Sequence, residues 1–183
     1  MALAAKYLTA YQFTECHDIL INSAPATILD AVERMETGDD IFTRGLIWLR
    51  QLPDRLFAQT AKPAAAFGLK DFTRLERTER QLAYGLVGRF WRLDFGLEAI
   101  ADGPAFQAFA QPGVAKLVMS FDAQPLPGGA TRLVTRTQIF CPDDATRRRL
   151  RPYWIAIRPA SGFIRRRMLA GVKKLAEQQT MPG

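Results

Sequence analysis

The stretch that decides the fold is Asp143-Asp-Ala-Thr-Arg-Arg-Arg-Leu150-Arg-Pro-Tyr-Trp154-Ile-Ala-Ile157-Arg-Pro159-Ala-Ser-Gly-Phe-Ile164-Arg-Arg-Arg-Met168-Leu-Ala-Gly-Val172-Lys-Lys-Leu175. Its apolar positions, Leu150, Tyr153, Trp154, Ile157, Ile164, Met168, Val172 and Leu175, recur in steps that keep one stripe in phase over about seven helical turns. Asp143 or Asp144 can cap the start. Pro152 and Pro159 fall inside the run, where a proline costs about 3 kcal/mol, so the pattern predicts one kinked helix or two abutting ones. A helix with so long an apolar stripe needs a large apolar surface to cover.

The segments before it supply that surface. Residues 114–124 and 131–140 read as strands joined by the turn Pro125-Leu-Pro-Gly-Gly129, a hairpin signal. Further strands are predicted at 70–77 and 80–91, with an irregular stretch from 93 to 113. That stretch contains a short strand near Leu97–Ala99 and a helical turn at Ala105–Ala110. Residues 12–22 read as the first strand, with Phe13, Glu15, His17, Ile19 and Ile21 on one face. Pro25 then opens a helix carrying Ile28, Leu29, Val32 and Met35, and a second helical run covers 41–50. An antiparallel sheet with one wet face and one face under the terminal helix satisfies all these patterns.

The order of strand, two helices, several antiparallel strands and a long amphipathic helix resembles the START-like helix-grip superfamily, also called SRPBCC. This superfamily includes the pollen-allergen and polyketide cyclase families. Ile21-Asn-Ser-Ala-Pro-Ala-Thr-Ile28-Leu29 looks like the family's apolar-x-Ala-Pro-x-x-x-Val-Trp junction, departing at Ser23 and Leu29. Gly129-Ala-Thr131-Arg-Leu133-Val-Thr135 looks like its Gly-x-Thr-x-Leu strand entry. The resemblance covers about residues 13–177 of a single domain spanning 1–183. It implies an α+β fold: a curved antiparallel sheet wrapped around the C-terminal helix, two short helices after strand 1, and a cavity that often holds an apolar ligand. Within it, Glu15, His17, Ile19 and Ile21 face inward, and Met119, Phe121 and Ala123 lie opposite Leu133, Thr135, Thr137 and Ile139. Cys141 then points in and Cys16 out, which keeps the two thiols apart.

Several chemistries are excluded or narrowed by counting. With two cysteines and one histidine, a structural zinc site lacks ligands, and any serine or cysteine triad has only His17 as its base. The Gly85-Leu-Val-Gly88 segment lacks the phosphate-loop and dinucleotide spacings. No metal or cofactor is expected. The chain has no apolar run long enough to span a membrane and its start lacks the form of a secretory signal, so a soluble, cytoplasmic protein with free thiols is expected.

The expected ligand-binding residues are Glu15, His17, Tyr84, Thr135 and Thr137 as polar anchors, with Phe90, Met119, Phe121, Trp154 and Ile157 as walls. Glu15 and His17 form the one acid–histidine pair at strand spacing, fit either for proton transfer or for a plain structural hydrogen bond. The Tyr84–Arg92 segment reads either as pocket lining or as core, and the apolar run 41–57 either as a lid or as a helix packed on two sides. The primary functional reading is a binding protein for a small hydrophobic molecule, lipid-, polyketide- or isoprenoid-like, without activity of its own. One alternative is a polyketide cyclase/dehydratase-type enzyme using the same cavity. The other is an interaction module placing a basic helix on an anionic membrane or RNA, nucleic acid being the less expected partner.

The charge belongs to one segment. The chain of 183 residues carries a formal net charge of +7. Residues 143–183 hold ten Lys and Arg against three Asp and Glu, while the remainder is balanced at fifteen of each. These basic residues, Arg165 among them, are read as the solvated outer face of the terminal helix.

Overall fold

The structure, a computed structural model, describes residues 3–37, 71–92 and 94–180. The helix expected over 41–50, the 41–57 lid and the loop at 61–68 lie outside the described residues. In chain order the elements are α1 (Leu3–Tyr7), β1 (Phe13–Ile21), α2 (Pro25–Thr37), β2 (Thr73–Arg77) and β3 (Gln81–Gly88). They are followed by α3 (Gly103–Ala108), β4 (Ala115–Pro125), β5 (Thr131–Phe140) and α4 (Asp144–Thr180). The five strands form one curved antiparallel sheet in the order β1-β5-β4-β3-β2, with β1 and β2 at its edges. This is the α+β layout that the patterning predicts, with the long helix laid across the concave face.

The β4–β5 hairpin turns where expected, with Gly128 and Gly129 at φ near +89° and +88°, a region that favours glycine. Register follows from it. Met119 pairs with Thr137 and Phe121 with Thr135, as the alternation predicts. Thr131, at the start of β5, donates its hydroxyl to the Ser23 carbonyl at 2.7 Å, tying the hairpin to the β1–α2 junction.

The terminal helix is a single element through both prolines, rather than two abutting helices. Pro152 and Pro159 are both exposed, so the hydrogen bonds they remove lie on the wet side. On the other side Leu150, Trp154, Ile164, Met168, Leu169, Val172 and Ala176 are buried against the sheet and α2. Asp143 caps the start: its carboxylate accepts from the Thr146 amide at 2.7 Å, the Thr146 hydroxyl at 2.8 Å and the Gly113 amide at 3.0 Å. Those donors hold its carboxyl below the usual carboxylate range. The thiols behave as expected: both are free, Cys16 exposed and Cys141 buried, with burial pushing the Cys141 thiol up to about 11.

The convex face corrects the expectation of a wet side. A second apolar cluster covers part of it, built from Leu3, Ala4, Tyr7 and Leu8 around α1, Phe106 of α3, and Leu75, Ala83, Val87 and Val118 of the sheet. All of β3 after Gln81 is therefore buried. Lys116 anchors this layer, donating its ammonium to the Gln107 and Phe109 carbonyls at 3.2 and 3.1 Å, above the Phe106 ring. Burial holds that amine below the ordinary lysine range.

Gly85 is what lets α3 approach. A Cβ there would stand 2.7 Å from Phe106 Cδ2 and 2.8 Å from Leu75 Cδ2. We expect Gly85→Ala to destabilise the protein by about 1–3 kcal/mol through overpacking. In chemical denaturation this reads as a lower midpoint at constant m-value. Combined with Phe106→Leu, the two losses should be clearly less than additive.

Candidate functional site

The site begins with the rungs of the concave face. Tyr84, Met119, Thr137 and Glu15 pair in sequence across four strands, and Leu82, Phe121, Thr135 and His17 form the next rung. Each rung is apolar on β3 and β4 and polar on β5 and β1. Apolar rungs lie on either side: Leu86, Leu117, Ile139 and Phe13 at one end, Ala123, Leu133 and Ile19 at the other. The polar halves thus form a patch near the β1 edge, in an otherwise oily interface.

The terminal helix completes the patch. Glu15 Oε1 lies 2.7 Å from His17 Nε2, and Glu15 Oε2 accepts from the Ser161 hydroxyl at 2.9 Å. One turn on, Arg165 donates to Thr137 Oγ1 at 2.6 Å and to Thr135 Oγ1 at 3.3 Å, and a guanidinium nitrogen abuts Met119 Sδ. Ser161 and Arg165, four apart on α4, share one helix face. Glu15, Thr135, Thr137 and Arg165 are buried, while the His17 side chain keeps 17% exposure.

Burial dominates the electrostatics. It pushes Arg165 down to about 10, partly opposed by the negative charge of Glu15. The guanidinium therefore stays charged at neutral pH, an ion within a mostly apolar interface. Such an ion is costly to bury and needs several oxygen partners. The hydroxyls of Thr135 and Thr137 supply them. Tyr153, beside the core, is pushed up to about 12 by burial and stays a protonated phenol.

Carboxylate, imidazole and hydroxyl are linked in an order that matters chemically. Ser161 donates to Glu15 rather than to His17. A nucleophile needs its base within hydrogen-bond reach, so this is not the wiring of an activated serine. It is the wiring of an oriented imidazole, held by a carboxylate and partly exposed. Among the described residues no three His, Cys, Asp or Glu side chains converge as a metal site.

All ten residues singled out from the sequence belong to, or pack against, the concave side of the sheet. Glu15, His17, Thr135, Thr137 and Met119 are gathered around Arg165 and Ser161. Tyr84 and Phe121 stack edge to face with ring centroids 6.3 Å apart, and Trp154 lies against Phe13 at 5.9 Å. Phe90 is buried in the same core and Ile157 is half-buried beside it. The Tyr84–Arg92 segment is mainly core, and its arginines are engaged: Arg89 pairs with Glu98 and Arg92 with Asp94.

Arg165 and Ser161 were not among the expected site residues. Arg165 also corrects the reading of the basic residues as a solvated face, because it alone of the Arg165-Arg166-Arg167 run is buried. A signal exists in the stripe. Between Ile157 and Ile164 it skips a rung, and the vacant positions are the small residues Ala160 and Ser161. Arg165 follows Ser161 by one turn, so the gap and the arginine share a face.

No family model matches the chain, and no curated protein matches it. Among solved structures it is similar to the Zhui aromatase/cyclase from Streptomyces sp. R1128. The identity is 14% and the TM-score 0.30, over 92% of this chain and 96% of that one. With so low a TM-score, the fold rests on the strand order and register described above.

Gly162 sets the clearance over the polar patch. A Cβ there would stand 3.2 Å from Glu15 Oε1 and 3.5 Å from His17 Cε1. Gly162→Ala should keep the helix, since alanine is the better helix former by about 1 kcal/mol. It should nonetheless displace the carboxylate–imidazole pair. We expect unchanged far-ultraviolet circular dichroism together with shifted His17 imidazole resonances in NMR; unmoved resonances would show that the clearance is immaterial.

Proposed function

We propose that the protein binds a small, largely apolar molecule, lipid-, polyketide- or isoprenoid-like, between the sheet and the C-terminal helix. Glu15, His17 and Arg165 orient its polar end. The observation that carries this reading is the Glu15–His17–Ser161 and Arg165–Thr135–Thr137 cluster, with Glu15, Arg165 and both threonines buried, set beside an apolar half made by Tyr84, Met119 and Phe121. A helix packed on a sheet for stability alone does better with apolar contacts than with a buried ion. An apolar site with a few convergent polar groups is the usual form of a small-molecule pocket. Membership of the START-like superfamily, suggested by element order and by the Ala24-Pro25 and Gly129–Leu133 motifs, fits the same reading.

Removing the whole polar set separates structure from binding. We expect Glu15→Leu/His17→Leu/Arg165→Met to fold with equal or greater stability, because a buried ionic group replaced by apolar residues is often neutral or stabilising. Wild-type protein analysed by native mass spectrometry should carry a co-purified apolar molecule that the triple variant lacks. Equal retention by both would remove the anchors from the reading, and an empty wild type that also takes up no added lipid or polyketide would end it.

A cyclase-type enzyme is the second reading, favoured by one observation. The His17 ring is held by Glu15 and its side chain keeps 17% exposure, which suits a group that exchanges a proton with a bound molecule. Under that reading His17→Gln lowers turnover of a polyketide-like substrate by about 100-fold or more while its binding persists. Turnover that survives the substitution excludes His17 as acid or base.

A further inference from the structure

A second feature lies near the start of the same helix. Arg147, Arg148 and Arg151, in the first two turns of α4, join Gln12 and Phe13 of the β1 entry around an open cleft of about 410 Å³. The wall at Gln12 is fixed. Its side chain accepts from the Cys141 amide at 2.8 Å and donates to the Cys141 carbonyl at 3.3 Å. Phe13 is backed by the Trp154 ring, tilted by 51°.

The charges in this cleft are not balanced. Arg147 pairs with Asp144 at 3.0 Å, but Arg148 and Arg151 have no carboxylate partner among the described residues. Like charges three and four apart on a helix repel each other, and here they stand at the positive end of the helix dipole. The nearby carboxylate of Asp143 is committed to Gly113 and Thr146. The outer arginines Arg158, Arg166 and Arg167 are exposed and do not line this cleft.

We infer that this cleft holds the oxyanion head, a carboxylate or phosphate monoester, of an amphipathic ligand whose apolar body runs along Phe13, Trp154 and Ile157. The inference rests on the binding reading proposed above and narrows it to acidic amphiphiles. A guanidinium pair matches the two oxygens of a carboxylate or phosphate, and the anion relieves the mutual repulsion of the arginines. Arg151 and Ser161 are ten residues apart, about 15 Å along the helix axis, so a single ligand of acyl-chain length can reach from the cleft to the Glu15–His17 patch.

The test compares laurate with methyl laurate, the same chain with and without the charge, by calorimetry at low salt. Wild-type protein should bind laurate about tenfold more tightly or better, the scale of a charge-assisted hydrogen bond. In Arg148→Gln/Arg151→Gln that preference should vanish while methyl laurate binding is unchanged. Equal affinities in the wild type, or a preference that survives the double substitution, overturn the cleft and leave the apolar site standing. If neither chain binds, the apolar-site reading fails for such chains and phenyl phosphate decides the cleft. Binding to the wild type but not to the double variant then supports an oxyanion site for a free phosphate compound. No binding to either overturns it.

Discussion

Everything on the concave face is arranged around one constraint: a guanidinium that has been taken out of water. Arg165 is buried and remains charged, so the sheet beneath it must supply oxygens and a nearby negative charge. Thr135 and Thr137, two apart on β5, offer their hydroxyls from one face. Glu15, on β1 and paired with Thr137 of β5, brings the carboxylate, and Ser161 ties that carboxylate back to the helix. A shift of one residue in the β1–β5 register would turn Glu15 and His17 outward and leave the cation with no anion nearby. The polar patch therefore specifies the register of an edge strand as well as offering chemistry.

The other face of the sheet is governed by space rather than charge. Gly85 removes a side chain where Phe106 and Leu75 need the volume, and α3 can then lie on the sheet. Gly103 does the same beneath Tyr7, whose hydroxyl donates to Glu76 at 2.7 Å and stands 3.1 Å from the Leu75 carbonyl. With both faces of β3 and β4 packed, the centre of the sheet is covered on two sides. The polar patch and the arginine-lined cleft both lie along the β1 edge, where that strand has only β5 beside it.

Much of this was legible in the residues. The period-two runs from Thr73 to Phe140 and the glycine turn at Gly128-Gly129 defined the antiparallel strands. Alternation from Ile19 and Ile21 back along β1 placed Glu15 and His17 inward, and the hairpin register placed Thr135 and Thr137 opposite Met119 and Phe121. Less was legible where one residue type serves two purposes. Within Arg165-Arg166-Arg167 the residues have identical chemistry, and only their helical phase relative to Ser161 separates the buried one from the exposed pair. The start of the chain is too short to show a period, so α1 and the second apolar layer left no periodic trace.

The amino-acid sequence by itself determined the order of the strands and the long helix, the inward faces of β1, β4 and β5, and the stripe of the last helix. These depend on local periodicity and on turn residues, which need no partner to be read. Tertiary structure alone decided which polar groups meet. Ser161 and Glu15 stand 146 positions apart, and Gln12 and Cys141 stand 129 apart. The first contact exists because the helix crosses the sheet at one angle and height, and the second because the entry to β1 runs alongside the end of β5. No local pattern encodes that crossing; it is set by packing Leu150, Trp154, Ile164 and Met168 into the concave face.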